Sequence, residues 1–117
     1  MCIANLTQHQ ATRDQTGVVE PNDKKAVQNL LTFDEIPTKE EMLYRAAQLF
    51  AIANSMNCNK AMIGGAPYFM STLETALSTR GIQPLYAFSK REVVEIPKED
   101  GTVEKKMVFK HAGFVEV

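Results

Sequence analysis

The amino-acid sequence predicts one small α/β domain. A chain of 117 residues, 44% of them hydrophobic, is long enough to bury a single core without disulfide or metal staples. Segments with apolar residues at helical spacing alternate with short apolar runs, which is typical of parallel strands joined by helical crossovers. The last third of the chain instead carries two alternating segments around Asp100-Gly101, which indicates an antiparallel hairpin.

The N-terminal segment predicts a strand followed by a long polar connection. Residues 2–6 are mostly apolar and predict the first strand. Residues 7–22 are polar, with Gly17 and Pro21 among them. A connection of this length in a compact domain is more often functional or disordered than purely connecting.

Two helices are expected next. Apolar residues at helical spacing predict a short helix over residues 23–33, with Asn22 as its cap. Thr38 followed by Glu41 forms a capping-box pattern, and the apolar stripe behind it predicts a longer helix over residues 39–56.

The middle of the chain predicts a strand that turns directly into a helix. Residues 60–63 form the strand and end in Gly64-Gly65. Pro67 suits the first turn of the following helix, where its missing N–H is not needed, and Gly81 ends that helix.

Four short segments complete the sheet. Residues 84–89 predict a third parallel strand, residues 91–96 and 103–109 predict the hairpin, and residues 112–117 prolong its last strand. The expected fold is therefore a minimal Rossmann-like α/β domain spanning residues 1–117, with helices on a short parallel sheet and a C-terminal antiparallel β-hairpin.

Charge and cysteine content narrow the class of protein. With 13 basic and 14 acidic residues, the chain lacks the basic excess of a duplex-DNA-binding protein. No apolar run approaches a membrane span, and the N-terminus lacks the plan of a signal peptide. Cys2 and Cys58 make neither a disulfide framework nor a zinc site, so we expect a reducing, cytoplasmic setting, no metal and no cofactor.

One geometric rule selects the candidate site. In open parallel sheets, ligands bind beyond the carboxyl ends of the strands, which here are followed by residues 7–10, 64–68 and 89–91. The expected ligand-binding residues from these segments are Thr7, His9, Gly64, Gly65, Ala66, Pro67, Tyr68, Ser89 and Arg91.

The Gly64–Pro67 turn suits an anion. Glycines allow close approach of a phosphate, and free N–H groups at the start of a helix attract negative charge. The turn matches neither a Walker loop nor a dinucleotide fingerprint. The alternative is that both glycines only turn a corner and pack the helix on the sheet.

Charged and aromatic side chains are expected near this turn. Alternation along the strand puts Ser89 and Arg91 on one face, where Arg91 suits a phosphate, and leaves Lys90 as a solvated edge charge. His9 and His111 are the histidines available for acid–base chemistry, although ordinary surface positions explain both. Tyr68 either stacks on a base or packs against its helix.

Three sequence segments carry a family resemblance. Residues 5–9 (Asn-Leu-Thr-Gln-His), 61–67 and 84–91 resemble small uncharacterised proteins of bacteria, phages and mobile elements. Their layout is similar to that of CARF-like CRISPR-associated proteins, some of which are ring nucleases that open cyclic oligoadenylates. The resemblance implies a homodimer that shares an anionic cyclic nucleotide across its two-fold axis, without metal. It contains no ring-nuclease motif at residue level, so no catalytic residue is assigned.

Three functional interpretations follow. The first is a nucleotide-binding protein of a bacterial or phage defence context, binding a cyclic oligonucleotide or cleaving its ring without metal. The second is a non-enzymatic interaction module acting through its β-hairpin and homodimerisation, with Val94, Val108 and Phe109 as contact residues. The third is a remnant of a larger α/β enzyme with neither ligand nor partner. Whether the protein is an enzyme stays open at this point.

Overall fold

The computed structural model describes residues 2–117 and confirms the predicted fold class. A five-stranded mixed sheet has the order β2-β1-β3-β4-β5, in which only the β4–β5 pairing is antiparallel. The elements are β1 Ile3–Leu6, β2 Val18–Val19, α1 Lys24–Leu31, α2 Lys39–Ser55, β3 Lys60–Ile63, α3 Pro67–Ser78, β4 Gln83–Pro97 and β5 Val103–Glu116.

Strand β2 lies inside the segment predicted to be a loop. Val18 and Val19 pair in parallel with Ile3 and Ala4. Two β-branched residues form too short a run to show any periodicity, so no local pattern could reveal this strand. The pairing fixes the end of the long connection against β1, because the amide of Ile3 also donates to the carbonyl of Gly17 at 2.9 Å.

The helix starts differ from the predicted caps in detail. The carboxylate of Asp23, rather than the side chain of Asn22, accepts the Ala26 amide at 3.0 Å and caps α1. The Thr38 hydroxyl accepts the Glu41 amide at 3.1 Å, as predicted for α2. The carboxylate of Glu41 turns to Arg45 instead, so only half of the capping box forms.

The helices pack on one face of the sheet. Ala4 and Leu6 of β1 lie beside Ala61 and Ile63 of β3 in register, and all four belong to the main core. Helix α2 packs against α1 and α3 above them. Tyr86 of β4 joins this layer half-buried.

The opposite face of the sheet is covered by the segment between β1 and β2. Asn5, Met62 and Leu85 are adjacent across this face, and Met62 and Leu85 are buried although they lie outside the helix-facing core. Thr12 and Gln15 lie near Met62, since all three line one cavity. We name residues 7–17 the covering loop.

Strands β4 and β5 extend far beyond the rest of the sheet. The predicted break near Lys90 is wrong, because β4 runs without interruption from Gln83 to Pro97. An irregularity at Phe88/Ser89 absorbs one extra β5 residue, and the register then continues to the tip. Residues 89–97 and 103–111 form a two-stranded arm, named here the ribbon, which contributes to the 59 Å long dimension of the molecule.

The expectation for the cysteines is wrong. Cys2 and Cys58 form a disulfide with a Cα–Cα distance of 5.1 Å. They precede β1 and β3, which are adjacent in the sheet although 56 residues separate the two cysteines in sequence. Two cysteines that far apart give no spacing signal, and the parallel pairing of β1 and β3 brings them together.

No helix within residues 2–117 has both the length and the apolar character needed to cross a membrane.

Candidate functional site

A cavity of about 350 Å³ lies at the carboxyl ends of β1 and β3, beneath the covering loop. This volume falls in the range of small-molecule sites, about 300–1,000 Å³. The loop contributes hydroxyl and carboxamide groups and the glycine turn contributes backbone, while apolar atoms make up most of the lining surface. The lining residues are Thr7, Gln8, His9, Gln10, Thr12, Gln15, Met62, Ile63, Gly64, Gly65 and Ala87.

Asn5 organises the wall of this cavity from a fully buried position. Its amide group donates to the carbonyl of His9 at 2.8 Å and to the carboxylate of Glu20 at 2.8 Å. Its carbonyl accepts the amide of Thr7 at 3.0 Å and the hydroxyl of Thr7 at 2.6 Å. One side chain therefore fixes both ends of the turn over residues 7–9.

Glu20 ties the covering loop to the start of α1. Its carboxylate accepts the amide of Ala11 at 2.8 Å and pairs with Lys24 at 3.0 Å. Burial raises the pKa of Glu20, but the hydrogen bonds from Ala11 and Asn5 and the pairing with Lys24 outweigh it and lower the pKa overall. Glu20 is therefore held ionised beneath the loop.

Gln8 and Gln28 connect the loop to α1 at the side of the cavity. The Gln28 side chain donates to the carbonyl of Gln8 at 3.0 Å, and the Gln8 side chain donates to the hydroxyl of Thr32 at 3.1 Å. The side-chain amide of Gln8 is thus already engaged, whereas Gln10 is exposed and takes part in no side-chain hydrogen bond among residues 2–117.

Glycine has a different structural role at each of the two positions of the turn. A Cβ on Gly64 would lie 3.7 Å from Thr7 Cγ2, an ordinary contact. Gly65 has a φ of +155° and would bring a Cβ to 3.4 Å from Met70 Cε. The turn thus requires glycine for conformation at Gly65, while Gly64 mainly keeps the cavity open beside Thr7.

The covering loop reaches across the sheet to β5. A hydrogen bond from Thr12 is the main cause that lowers the pKa of Asp14, against a smaller rise from desolvation, and the backbone of Asp14 and the backbone and ring of His111 lower it further. The His111 ring packs against Phe114 with 4.9 Å between ring centroids. His111 Nδ1 is buried without a hydrogen-bond partner among the described residues.

The cavity brings together four of the nine predicted ligand-binding residues. Thr7, His9, Gly64 and Gly65 line it, from two loops that are distant in sequence. Ala66 and Pro67 start α3 just behind the turn and do not line the cavity.

Tyr68 lies at a different surface. It is 57% exposed, packs edge-on against Phe33 at 5.6 Å, and lines a separate cavity of about 590 Å³ with Ile36, Pro37 and Met42. Helix α3 turns the Tyr68 side chain toward α2 and away from the carboxyl end of β3.

Ser89 and Arg91 lie on the ribbon, beyond the cavity. Their cross-strand partners are His111 and Phe109, which confirms that they share one face while Lys90 lies on the other. Ala87 lines the cavity on that same side, and Arg91 is four residues further, about 13 Å along an extended strand. The Arg91 guanidinium instead lies 5.7 Å from the Phe109 ring centroid.

Sequence reasoning missed Asn5, Glu20, Thr12 and Gln15. Asn5 lies in an apolar strand, and a polar residue at such a position is a signal in itself, because burial requires hydrogen-bond partners. Glu20 and Gln15 carried no signal, since their roles depend on how the covering loop folds back over the sheet.

A larger cleft of about 780 Å³ runs between α1 and α2, past Tyr44 and Gln48. It lies beside the helices and contains none of the predicted ligand-binding residues. Among residues 2–117, no group of three His, Cys, Asp or Glu side chains is arranged to hold a metal ion.

Comparison with known proteins identifies one family. Residues 1–115 match the family described as the uncharacterized protein MJ1673 family. No curated protein and no solved structure matches the chain. Because the family match covers nearly all of the 117 residues, the chain belongs to the uncharacterized protein MJ1673 family.

Proposed function

We propose that the protein binds a small nucleotide in the cavity beneath the covering loop. The observation that supports this most is the convergence of Thr7, His9, Gly64 and Gly65 on one cavity at the carboxyl ends of parallel strands. This is the position at which open α/β sheets hold ligands.

The chemistry of the lining favours a ligand with a polar edge and a small negative charge. The carboxamide of Gln10 donates to and accepts from a nucleobase or a ribose, and the hydroxyl of Thr12, whose proton goes to Asp14, accepts. Among the lining residues, His9 is the one with a basic side chain. The glycine turn lets a ligand approach the backbone closely. A mononucleotide or a small cyclic dinucleotide fits this balance better than a long polyanion.

A thermal-shift panel tests the proposal. Mononucleotides, dinucleotides and cyclic di-, tri-, tetra- and hexanucleotides are added to the intact protein at moderate salt. Ligand at about 100 times its dissociation constant adds roughly 2.7 kcal/mol, which raises the melting temperature of a domain this size by on the order of 10 °C. A flat panel at millimolar concentration of every nucleotide contradicts the proposal.

Gln10→Ala locates the site, and Gln48→Ala is its matched control. Both glutamines are exposed, but only Gln10 lines the cavity beneath the loop. We expect Gln10→Ala to reduce the nucleotide-induced shift without lowering the melting temperature of the free protein. A loss of the shift in Gln48→Ala instead would place the ligand in the cleft between α1 and α2.

Ring cleavage is the second arm of the same experiment. The proposed reaction is attack of the ribose 2′-hydroxyl on the adjacent phosphorus, with release of the 5′-oxygen of the next nucleotide and transfer of the hydroxyl proton to that oxygen. The nucleotide that shifts the melting temperature is incubated with the protein and followed by chromatography. Appearance of a linear product with a 2′,3′-cyclic phosphate end supports a ring nuclease, and an unchanged ligand supports binding alone.

This proposal includes a cytoplasmic location, which requires that the Cys2–Cys58 disulfide be compatible with a reducing compartment. Disulfides are rare in reducing compartments. Alkylation of thiols during lysis, followed by mass spectrometry, measures the bonded fraction in the cell. A fully bonded population argues for an oxidising compartment.

The ribbon supports a second candidate function, that of an interaction module. A two-stranded ribbon is marginal in water by itself, yet this one leaves Val93, Met107 and Phe109 more than half exposed. Of the three residues expected to make contacts, Val108 and Val94 lie on one ribbon face and Phe109 on the other. The two faces therefore have to be considered separately.

A further inference from the structure

The two faces of the ribbon differ in their apolar exposure. The Val93 face is formed by the cross-strand pairs Ser89/His111, Arg91/Phe109, Val93/Met107, Glu95/Lys105 and Pro97/Val103. The Val94 face is formed by Lys90/Lys110, Glu92/Val108, Val94/Lys106 and Ile96/Glu104. Phe109 and Val93 are 71% and 61% exposed, against 41% for Val94 and 39% for Ile96. The Val93 face thus presents the larger uncovered apolar surface.

The residue order on the Val93 face is self-complementary. Along β4, Arg91 and Glu95 stand two residues to either side of Val93 on the same face. Two ribbons stacked on this face can be related by a two-fold axis that runs between them at Val93, perpendicular to the strands. This axis places Arg91 of each copy opposite Glu95 of the other. Across the ribbon the same axis places Met107 on Met107, and Phe109 opposite the aliphatic stem and ammonium group of Lys105.

The charges on this face have no ionic partner within the chain. No ion pair among residues 2–117 includes Arg91, Glu95 or Lys105, whereas Lys98 and Glu104 nearer the tip do pair with each other at 3.7 Å. Arg91 and Glu95 are both exposed. They are therefore available for contacts with a second molecule.

The position of Val93 also fits such an arrangement. Val93 lies four positions along β4 from Ser89 at the base of the ribbon and four positions from Pro97 at the tip. In an antiparallel stack centred on Val93, each tip ends over the base of the other ribbon. The covering loop also approaches this base, since Asp14 lies near His111.

We propose that the Val93 face of the ribbon binds the same face of a second copy of this chain, antiparallel and centred on Val93, with Arg91 of each copy paired to Glu95 of the other. The occupant is a second copy because one strand carries both members of each ion pair, in the order that a two-fold axis requires.

Molar mass in solution tests the proposal. Light scattering after size exclusion, over a concentration range from micromolar to millimolar, is expected to give twice the chain mass of 13.1 kDa. Val93→Asp is expected to halve the measured mass, while its matched control Val94→Asp on the other face retains the dimer. A wild-type monomer at every concentration overturns the proposal, as does a dimer that survives Val93→Asp or is lost in Val94→Asp alone.

Charge swaps test the pairing itself. Arg91→Glu and Glu95→Arg should each yield a monomer, because each places like charges opposite one another twice. Mixing the two variants should restore a dimer that contains one copy of each, and the double variant should dimerise by itself. A parallel stack, in which Arg91 and Glu95 each face their own counterpart, would not lose its dimer in the single variants, because like charges already face one another in the wild type. Pairing along the β5 edge would show neither the loss nor the restoration. A dimer that survives both single variants, or the absence of restoration on mixing, overturns the proposed register. The readout is mass, so these results are independent of the nucleotide panel.

Discussion

Replacement of Asn5 by alanine tests whether one buried side chain holds the covering loop in place. The substitution removes hydrogen bonds to the carbonyl of His9, the carboxylate of Glu20, and the amide and hydroxyl of Thr7. A neutral hydrogen bond contributes about 1 kcal/mol and one to a charged group about 2 kcal/mol. Water entering from the adjacent cavity replaces part of this loss. We therefore expect the free energy of unfolding to fall by about 3 kcal/mol.

Urea denaturation measures this loss, with Asn59→Ala as the control for an exposed asparagine. The slope of the free energy against urea concentration should stay unchanged, because the fold and its buried area are retained. Native-state hydrogen exchange should show faster exchange at the amides of Thr7 and Ala11 in particular.

Asn5→Asp separates hydrogen bonding from packing. It keeps the size of the side chain and the acceptor for Thr7, but places a second carboxylate 2.8–3.1 Å from Glu20. Its destabilisation should be largest at neutral pH and should lessen near pH 4–5, where one carboxyl group binds a proton. A loss below about 1 kcal/mol in Asn5→Ala, or equal behaviour of the aspartate variant at both pH values, would refute the reasoning.

Three further predictions concern the disulfide, the half-buried Glu20 and the glycine turn. Cys58→Ala should lower the free energy of unfolding by about 4 kcal/mol, since the bond closes a loop with a sequence separation of 56 residues; the control is wild-type protein unfolded in reductant, which should match the variant. Because the folded-state pKa of Glu20 is lowered, the stability that Glu20 contributes is present above pH 4.5 and is lost as the pH falls through the folded-state pKa. The melting temperature should therefore decline less steeply from pH 7 to pH 3 in Glu20→Gln than in the wild type. Equal slopes would contradict this. Gly65→Ala should cost roughly 1–2 kcal/mol because of its φ of +155° and the contact with Met70, whereas Gly64→Ala should be nearly neutral in the same melts.

Local signals sufficed for the elements whose formation is decided within a few residues. The stripe behind Thr38 predicted α2, the β3–glycine–Pro67 junction predicted the start of α3, and Asp100-Gly101 predicted the hairpin. Each depends on capping, periodicity or turn geometry, which act between near neighbours.

The features that were missed depend on contacts between distant residues. Strand β2 forms because two valines reach β1, and the disulfide forms because β1 and β3 are adjacent. The continuity of β4 through Lys90 follows from its pairing with β5. None of these contacts leaves a trace in the spacing of residues along the chain.

The sequence predicted the location of the candidate site better than the residues that form it. The rule for open sheets selected the carboxyl ends of β1 and β3, and the cavity lies there with Thr7 and Gly64 in its wall. Arg91 was expected beside it because the predicted strand ended at residue 89. The real strand continues and carries the guanidinium outward along the ribbon.

The Cys2–Cys58 bond divides the polypeptide into a closed ring and a tail. The ring contains β1, the covering loop, β2 and both helices α1 and α2, while α3 and the ribbon belong to the tail. A protease that cuts the covering loop therefore cannot release a fragment, because both sides of the cut stay joined through the sulfur atoms. The loop over the cavity can be opened by a single backbone cut while the chain retains one covalent framework.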